Sequence, residues 1–264
     1  MLGRNTAPVV LGRNTALAEV ATFVDAMEVA PAALLLEGDP GIGKTTVWRS
    51  AQAAAVAHGH RVLAVTAVEG EADLPFVALR DLFESVDLDT ALTLPPPQRA
   101  ALDVALLRSA DPRAVADQHA VCVAALGIIR TMAAERPLVI AVDDAGWLDR
   151  SSDRVLRYVI RRLAAEPVGV LAARRPGPVA PLGLDGPPLG ARLHRVALGP
   201  LDPDAIHTLL TEHCRLQLPR RLTRRIHAAC GGNPFSAVEI GRTLSARGER
   251  IVDENALPLP GGVL

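Results

Sequence analysis

Residues 38–45 read Gly38-Asp39-Pro40-Gly41-Ile42-Gly43-Lys44-Thr45, a full match to the pattern G-x-x-x-x-G-K-[ST]. Such a segment works as a loop between a buried strand and a helix, so it constrains the fold before anything else does. Its glycines let successive backbone N–H groups turn inward on phosphate oxygens, and the helix that follows adds its positive end. The flanks agree. Ala32 to Glu37 is a short apolar run of the kind that forms a strand covered on both faces, and Thr45 to His58 is an alanine-rich helix stopped by Gly59. Lys44 is the only lysine; the other 27 basic residues are arginine. One position therefore needs a compact ammonium on a flexible stem, which a planar guanidinium cannot replace inside a loop that wraps phosphates. A dinucleotide-binding loop is excluded, because Gly41-Ile42-Gly43 lacks the third glycine of G-x-G-x-x-G.

The chain of 264 residues is long enough for one α/β domain and a smaller appendage. Its net charge of −1 provides no global field toward nucleic acid or an anionic membrane. Cys122, Cys214 and Cys230 are odd in number and share no framework spacing, which fits a reducing compartment. There is no signal-peptide pattern. The longest apolar run, Val121 to Ile129, is too short to span a bilayer, so the expectation is a cytoplasmic protein without membrane contact.

Further along, Arg61 to Val68 reads as a second strand. Helical patterns follow at Pro75 to Val86, at Pro97 to Ser109 and from Pro112 to Ala134. Leu138 to Val142 and Val168 to Ala173 read as buried parallel strands. Between them Ser151 to Ala165 is helical, with Ser151 or Ser152 as cap. Pro176 to Pro188 is loop, and a last strand runs near Leu193 to Leu198. From there only helices fit: Pro203 to Cys214, Pro219 to Ala229 and Pro234 to Arg247. We divide the chain into a nucleotide-binding α/β domain (1–200), a helical lid (201–250) and a linker (251–264). The six-residue echo of Leu2 to Ala7 in Leu11 to Ala16 is too short to be a structural repeat.

A triphosphate with Mg²⁺ needs a carboxylate opposite the loop, and Asp143-Asp144 supplies it at the end of a buried strand. The candidate nucleotide ligands are Gly38, Asp39, Pro40, Gly41, Ile42, Gly43, Lys44, Thr45 and Thr46. Lys44 would reach the β- and γ-phosphates, while the Thr45 hydroxyl holds Mg²⁺ and Asp143 holds it through water. Asp144 would orient or deprotonate the attacking water. The implied ligands are ATP or ADP and Mg²⁺.

Several segments together resemble a known family. Leu11-Gly12-Arg13, Glu37 to Thr45, Val142-Asp-Asp-Ala-Gly-Trp-Leu-Asp-Arg-Ser-Ser152, Ala173-Arg174-Arg175 and Gly232-Asn-Pro-Phe235 occur in one order over almost the whole chain. In this the chain resembles the N-terminal nucleotide-binding module of the large ATP-binding regulators of the LuxR family, which belong to the STAND class of AAA-like signalling ATPases. The resemblance implies a P-loop NTPase with a sheet of order 5-1-4-3-2 and a C-terminal helical lid. It places Arg13 near the adenine, Arg174 as a catalytic sensor at the end of the fourth strand, and Pro234 against the base from the lid. Gly146 stands where relatives carry a polar residue. The chain stops at Leu264, in a stretch that in the family leads to further domains and a DNA reader, so DNA contact is expected only through domains absent here. Trp147 and Leu148 read as packing at a helix start.

Arg220, Arg221, Arg224 and Arg225 form a basic stripe on a helix, read as a solvated face, with nucleic-acid contact as the alternative. His213-Cys214 and His227-x-x-Cys230 only imitate zinc ligands, and no Gly-x-Ser-x-Gly elbow supports an esterase. The function expected is a nucleotide-dependent switch with slow hydrolysis that regulates transcription. Self-association is a further expectation. The alternatives are a stand-alone ATPase acting on a protein or nucleic-acid partner, and an ATP-dependent scaffold that never hydrolyses.

Overall fold

The computed structural model describes residues 10–87, 94–111 and 113–246. The stretch 251–264, expected to be a linker, lies outside them, as does the first copy of the short echo. Five strands form one parallel sheet: β1 (Ala32–Glu37), β2 (Arg61–Thr66), β3 (Leu138–Asp143), β4 (Val168–Arg174) and β5 (Leu193–Ala197). Their spatial order is β2-β3-β4-β1-β5, which read from the other edge is the expected 5-1-4-3-2.

Strands β1, β3 and β4 are apolar along nearly their whole length because helices cover both faces. Alternate residues divide between two cores. Leu35, Ile140, Val142 and Val170 face one, which is filled by α3 (Val77–Leu82), α4 (Pro96–Ala105), α5 (Gln118–Glu135) and α6 (Arg150–Ile160). Leu34, Leu36, Val139 and Leu171 face the other, under α1 (Asn14–Val29) and α2 (Lys44–Ala57). A third core, with Ile206, Leu210, Ile226 and Ile240, joins α7 (Pro203–Cys214), α8 (Arg220–Cys230) and α9 (Pro234–Ala246). Among the described residues no helix is long and apolar enough to cross a membrane.

Helix α4 ends at Ala105 rather than Ser109, with Leu107 beyond it in the left-handed region at φ 56°, and three further helices differ from the sequence pattern through a side chain that captures backbone donors. Helix α5 begins at Gln118 because the Asp117 carboxylate accepts the N–H groups of His119 and Ala120. Helix α6 is capped by Asp149, one turn before Ser152, rather than by Ser151 or Ser152. It ends at Ile160, and the Glu166 carboxylate then accepts the N–H groups of Ala164 and Ala165. Helix α3 is shortened to six residues, with Phe76 before it in the left-handed region at φ 62°.

Asp149 explains that last feature. Its side chain is buried, the residue being 1% exposed, and it accepts from Phe76 N–H (2.9 Å), Ala78 N–H (3.2 Å) and Ser152 N–H (2.8 Å). The Ser152 hydroxyl takes Leu79 N–H at 2.9 Å. The aspartate thus ties the segment after β2 to the start of α6. Replacing it by alanine strands three buried donors, so Asp149→Ala is expected to destabilise the fold by about 3 kcal/mol or more in denaturant unfolding. A loss below about 1 kcal/mol would show that water replaces the carboxylate at little cost.

Candidate nucleotide-binding site

The sheet order brings the carboxyl ends of β1, β3 and β4 side by side, and the loop 38–43 crosses above them into α2. Gly41 (φ 74°) and Gly43 (φ 101°) occupy the left-handed region that favours glycine. Gly38 is a different case. Its φ is not positive, but a Cβ there would stand 2.9 Å from the Leu198 carbonyl oxygen and 2.7 Å from Ile42 Cγ2. It is required for close approach, not for its backbone angle as the sequence suggested.

Lys44 is buried, and its ammonium donates to the carbonyls of Gly38 (2.9 Å) and Asp39 (3.0 Å). Burial lowers its pKa, against the pull of Asp144 and Asp143. The Thr45 hydroxyl donates to Asp143 Oδ2 at 2.7 Å. Burial raises the Asp143 carboxyl, and the Thr45 hydroxyl opposes that shift. Asp144 sits at φ 47° with its N–H on Asp143 Oδ1, and its side chain lines the cleft beyond Lys44.

Arg174 is turned elsewhere. Glu37 and Arg174 are register partners in the β1–β4 pair, so their side chains share a face. The guanidinium donates to Glu37 Oε1 (2.9 and 2.6 Å), to the Gly177 carbonyl and to the carbonyl of Val179. The next residue, Arg175, lines the cleft. Arg13 lines a neighbouring cavity, but its fork is engaged with the carbonyls of Gly199 (2.6 Å) and Ile42 (2.8 Å); burial lowers its pKa.

The cleft over the loop has a volume of about 480 Å³ and is walled by both parts of the chain: Lys44, Thr45, Thr46, Asp144 and Arg175 on one side, Pro234, Phe235, Val238 and Arg242 on the other. A smaller cavity of about 90 Å³ opens from it, between Val10, Leu11, Arg13 and Val47 on one side and Leu201, Leu209 and Pro234 on the other. Gly43, Thr46, Leu209, His213 and Pro234 border both spaces. A polar trough leading to an apolar slot suits a molecule with a charged tail and a flat apolar head.

Residues 9–171, more than half the chain, match the family described as the AAA ATPase domain. The chain belongs to that family. No curated protein matches it. Solved structures share its fold. The Walker-type ATPase PABY2304 of Pyrococcus abyssi has a TM-score of 0.57 at 13% identity, over 94% of this chain and 71% of that one. The Orc1 protein of Aeropyrum pernix, solved in complex with DNA, has a TM-score of 0.55 at 16% identity, over 96% and 64%. The RuvB Holliday-junction branch-migration motor of Thermotoga maritima has 0.50 at 14%, over 92% and 64%. This chain therefore spans about two-thirds of the length of these neighbours, and the likeness speaks to the P-loop NTPase fold.

The residues of this AAA ATPase domain fit a magnesium nucleotide. Among the described residues no acceptor stands on the N–H groups of Gly41, Gly43, Lys44 or Thr45, which leaves a cluster of donors for an anion. A hydroxyl beside a carboxylate is an oxygen pair suited to Mg²⁺. The basic stripe on α8 lies outside the cleft. Of the pairs that imitate zinc ligands, His227 Nε2 bonds the Leu201 carbonyl and Cys230 the His227 carbonyl, whereas Cys214 faces the Val238 carbonyl and His213 borders the cleft. No group of three metal-ligating side chains occurs among the described residues. Leu148 packs on the core beside α6, as expected for a helix start.

Sequence reasoning overlooked Arg175, Asn233 and Arg242. Arg175 carried a signal, since it directly follows the arginine that ends β4 and so stands at the same carboxyl edge of the sheet; Arg242 carried one too, lying eight residues after Pro234 on the same helix. We expect Arg174→Ala to lower stability by about 1–3 kcal/mol through loss of its bonds to Glu37 and to the carbonyls of Gly177 and Val179, with Arg195 still beside the carboxylate. Arg175→Ala should leave the unfolding midpoint in place and weaken ATP binding, read by titration calorimetry. The reverse pattern would return the sensor role to Arg174.

Proposed function

We propose that this AAA ATPase domain is an ATP-dependent switch in which nucleotide binds between an α/β body (residues to 200) and a helical lid (from 201), with slow hydrolysis releasing the lid. The observation that carries this reading is the shared wall of the cleft: the phosphate side belongs to the body, while Pro234, Val238 and Arg242 close it from α9. A rigid ATPase has no need of a ligand pocket completed by a separately cored helical unit. The Leu-Gly-Arg, Asp-Asp-x-x-Trp-Leu-Asp and Gly-Asn-Pro segments support placement among LuxR-type STAND regulators, in which output passes to transcription through domains outside these residues.

In this reading Lys44 leaves the Gly38 and Asp39 carbonyls for the β- and γ-phosphates. Thr45 and Asp143 would hold Mg²⁺, Asp143 through water, and the ion would supply neutralisation of the phosphate charge. Asp144 orients water and accepts its proton, with Arg175 beside the terminal phosphate in place of Arg174. Arg13 fixes the loop behind the adenine, and Pro234 lies on the base.

Lys44→Ala is expected to remove detectable ATP and ADP binding in calorimetry with the fold retained, and Lys44→Arg to fail nearly as badly. Asp143→Asn should weaken the Mg²⁺ dependence of binding. Asp144→Asn should bind ATP normally and lose most of its hydrolysis in single-turnover assays. Wild-type affinity in Lys44→Ala would remove the site assignment; interchangeable behaviour of the two aspartate variants would remove the division of roles.

A further inference from the structure

Helix α9 meets the phosphate loop at its first turn, and the contact is made by backbone as well as side chain. The four N–H groups at the start of a helix have no partner within it. Here Pro234 has none to offer, Phe235 N–H donates to the Gly41 carbonyl at 3.2 Å, Ser236 N–H to Asn233 Oδ1 at 3.2 Å, and Ala237 N–H to the Asn233 carbonyl at 3.0 Å. The other end of the Asn233 amide reaches across 193 residues of sequence, its Nδ2 donating to the Pro40 carbonyl at 2.9 Å. One end needs a donor and the other an acceptor, so the network fixes which way the amide faces. The fit is close: a Cβ on Gly41 would stand 2.8 Å from Phe235 Cβ and 3.0 Å from Asn233 Oδ1.

We propose that Asn233 is a positioning residue for nucleotide binding, a clip that holds the Pro40–Gly41 peptide in its phosphate-receiving orientation and ties that orientation to the lid. The proposal rests on the nucleotide-binding reading of the cleft. A trans peptide is planar, with its carbonyl and N–H pointing opposite ways. Holding the Pro40 oxygen toward α9 therefore turns the Gly41 N–H away from it, and that N–H is one of the donors without an acceptor. Helix capping alone uses only the oxygen of the amide. The nitrogen serves the loop.

Asn233→Ser separates the two roles. Serine caps a helix as well as asparagine does, but it is too short to reach Pro40 and supplies no charge. The expected result is an unchanged denaturant midpoint with affinity for ATP and for ADP reduced about fivefold to tenfold, as for loss of one hydrogen bond in a preorganised loop. ATP-induced hydrogen-exchange protection over residues 234–246 should fall while that over 38–46 persists. Asn233→Asp is the second arm, equal in shape and capping but with no donor toward Pro40, and its defect should persist at high salt, where charge repulsion is screened. Wild-type affinity and lid protection in both variants would reduce Asn233 to a helix cap. Failure of the wild-type chain to bind ATP or ADP, or normal binding by Lys44→Ala, would instead sink the nucleotide reading on which the clip rests.

Discussion

Every carbonyl of the glycine-rich loop from Gly38 to Gly43 is held by a donor, most of them from outside the loop. Lys44 holds Gly38 and Asp39, Asn233 holds Pro40, Phe235 N–H holds Gly41, Arg13 holds Ile42, and Val47 N–H holds Gly43. Only the Gly43 carbonyl is taken up by a regular helix bond; the others lie outside strand and helix and meet donors from side chains, the loop itself or α9. Turning the oxygens outward to protein donors leaves N–H groups facing inward. The anion site follows from how the carbonyls are satisfied. It draws on residues from three places in the chain: Arg13 before α1, Lys44 and Val47 at the start of α2, and the first turn of α9.

That arrangement also means that the helical unit proposed as a lid would not be a passive cover. Two of the six carbonyls are held by α9, and a third by Arg13, whose other donor grips the Gly199 carbonyl just before the lid begins. A movement of the lid would break or strain hydrogen bonds that set the loop, and a change in the loop would be felt at the first turn of α9. The linkage is short and made of backbone, so it needs no chain of repacked side chains between two distant sites.

Much of this was legible in the sequence because local pattern dictates it. The buried strands announce themselves as apolar runs, the loop as a glycine pattern, and Asp143 and Asp144 as acids at the end of a fully buried strand. What stayed hidden is what register and long-range capture decide. Arg174 could not be separated from Arg175 until the β1–β4 register set it opposite Glu37. Helix α3 could not be shortened until Asp149, more than seventy residues away, took the N–H groups of Phe76 and Ala78. Asn233 read as part of a lid motif, but nothing local marks its amide nitrogen as serving Pro40.

The unequal use of arginine and lysine has a physical logic. Several arginines work as fixed braces: beside the cleft Arg13 spans Gly199 and Ile42 and Arg174 spans Glu37, Gly177 and Val179, and elsewhere Arg130 spans Glu166 and the Arg162 carbonyl. A guanidinium suits such work because its donors form a rigid planar fork that holds several acceptors at once. In the proposed function the same rigidity would be a fault at position 44, where the cation holds the loop's own carbonyls and would exchange them for phosphate oxygens. An ammonium can make that exchange by rotating a flexible stem, without moving the backbone that presents it. On the proposed function, the chain's single lysine stands where a cation would have to change partners.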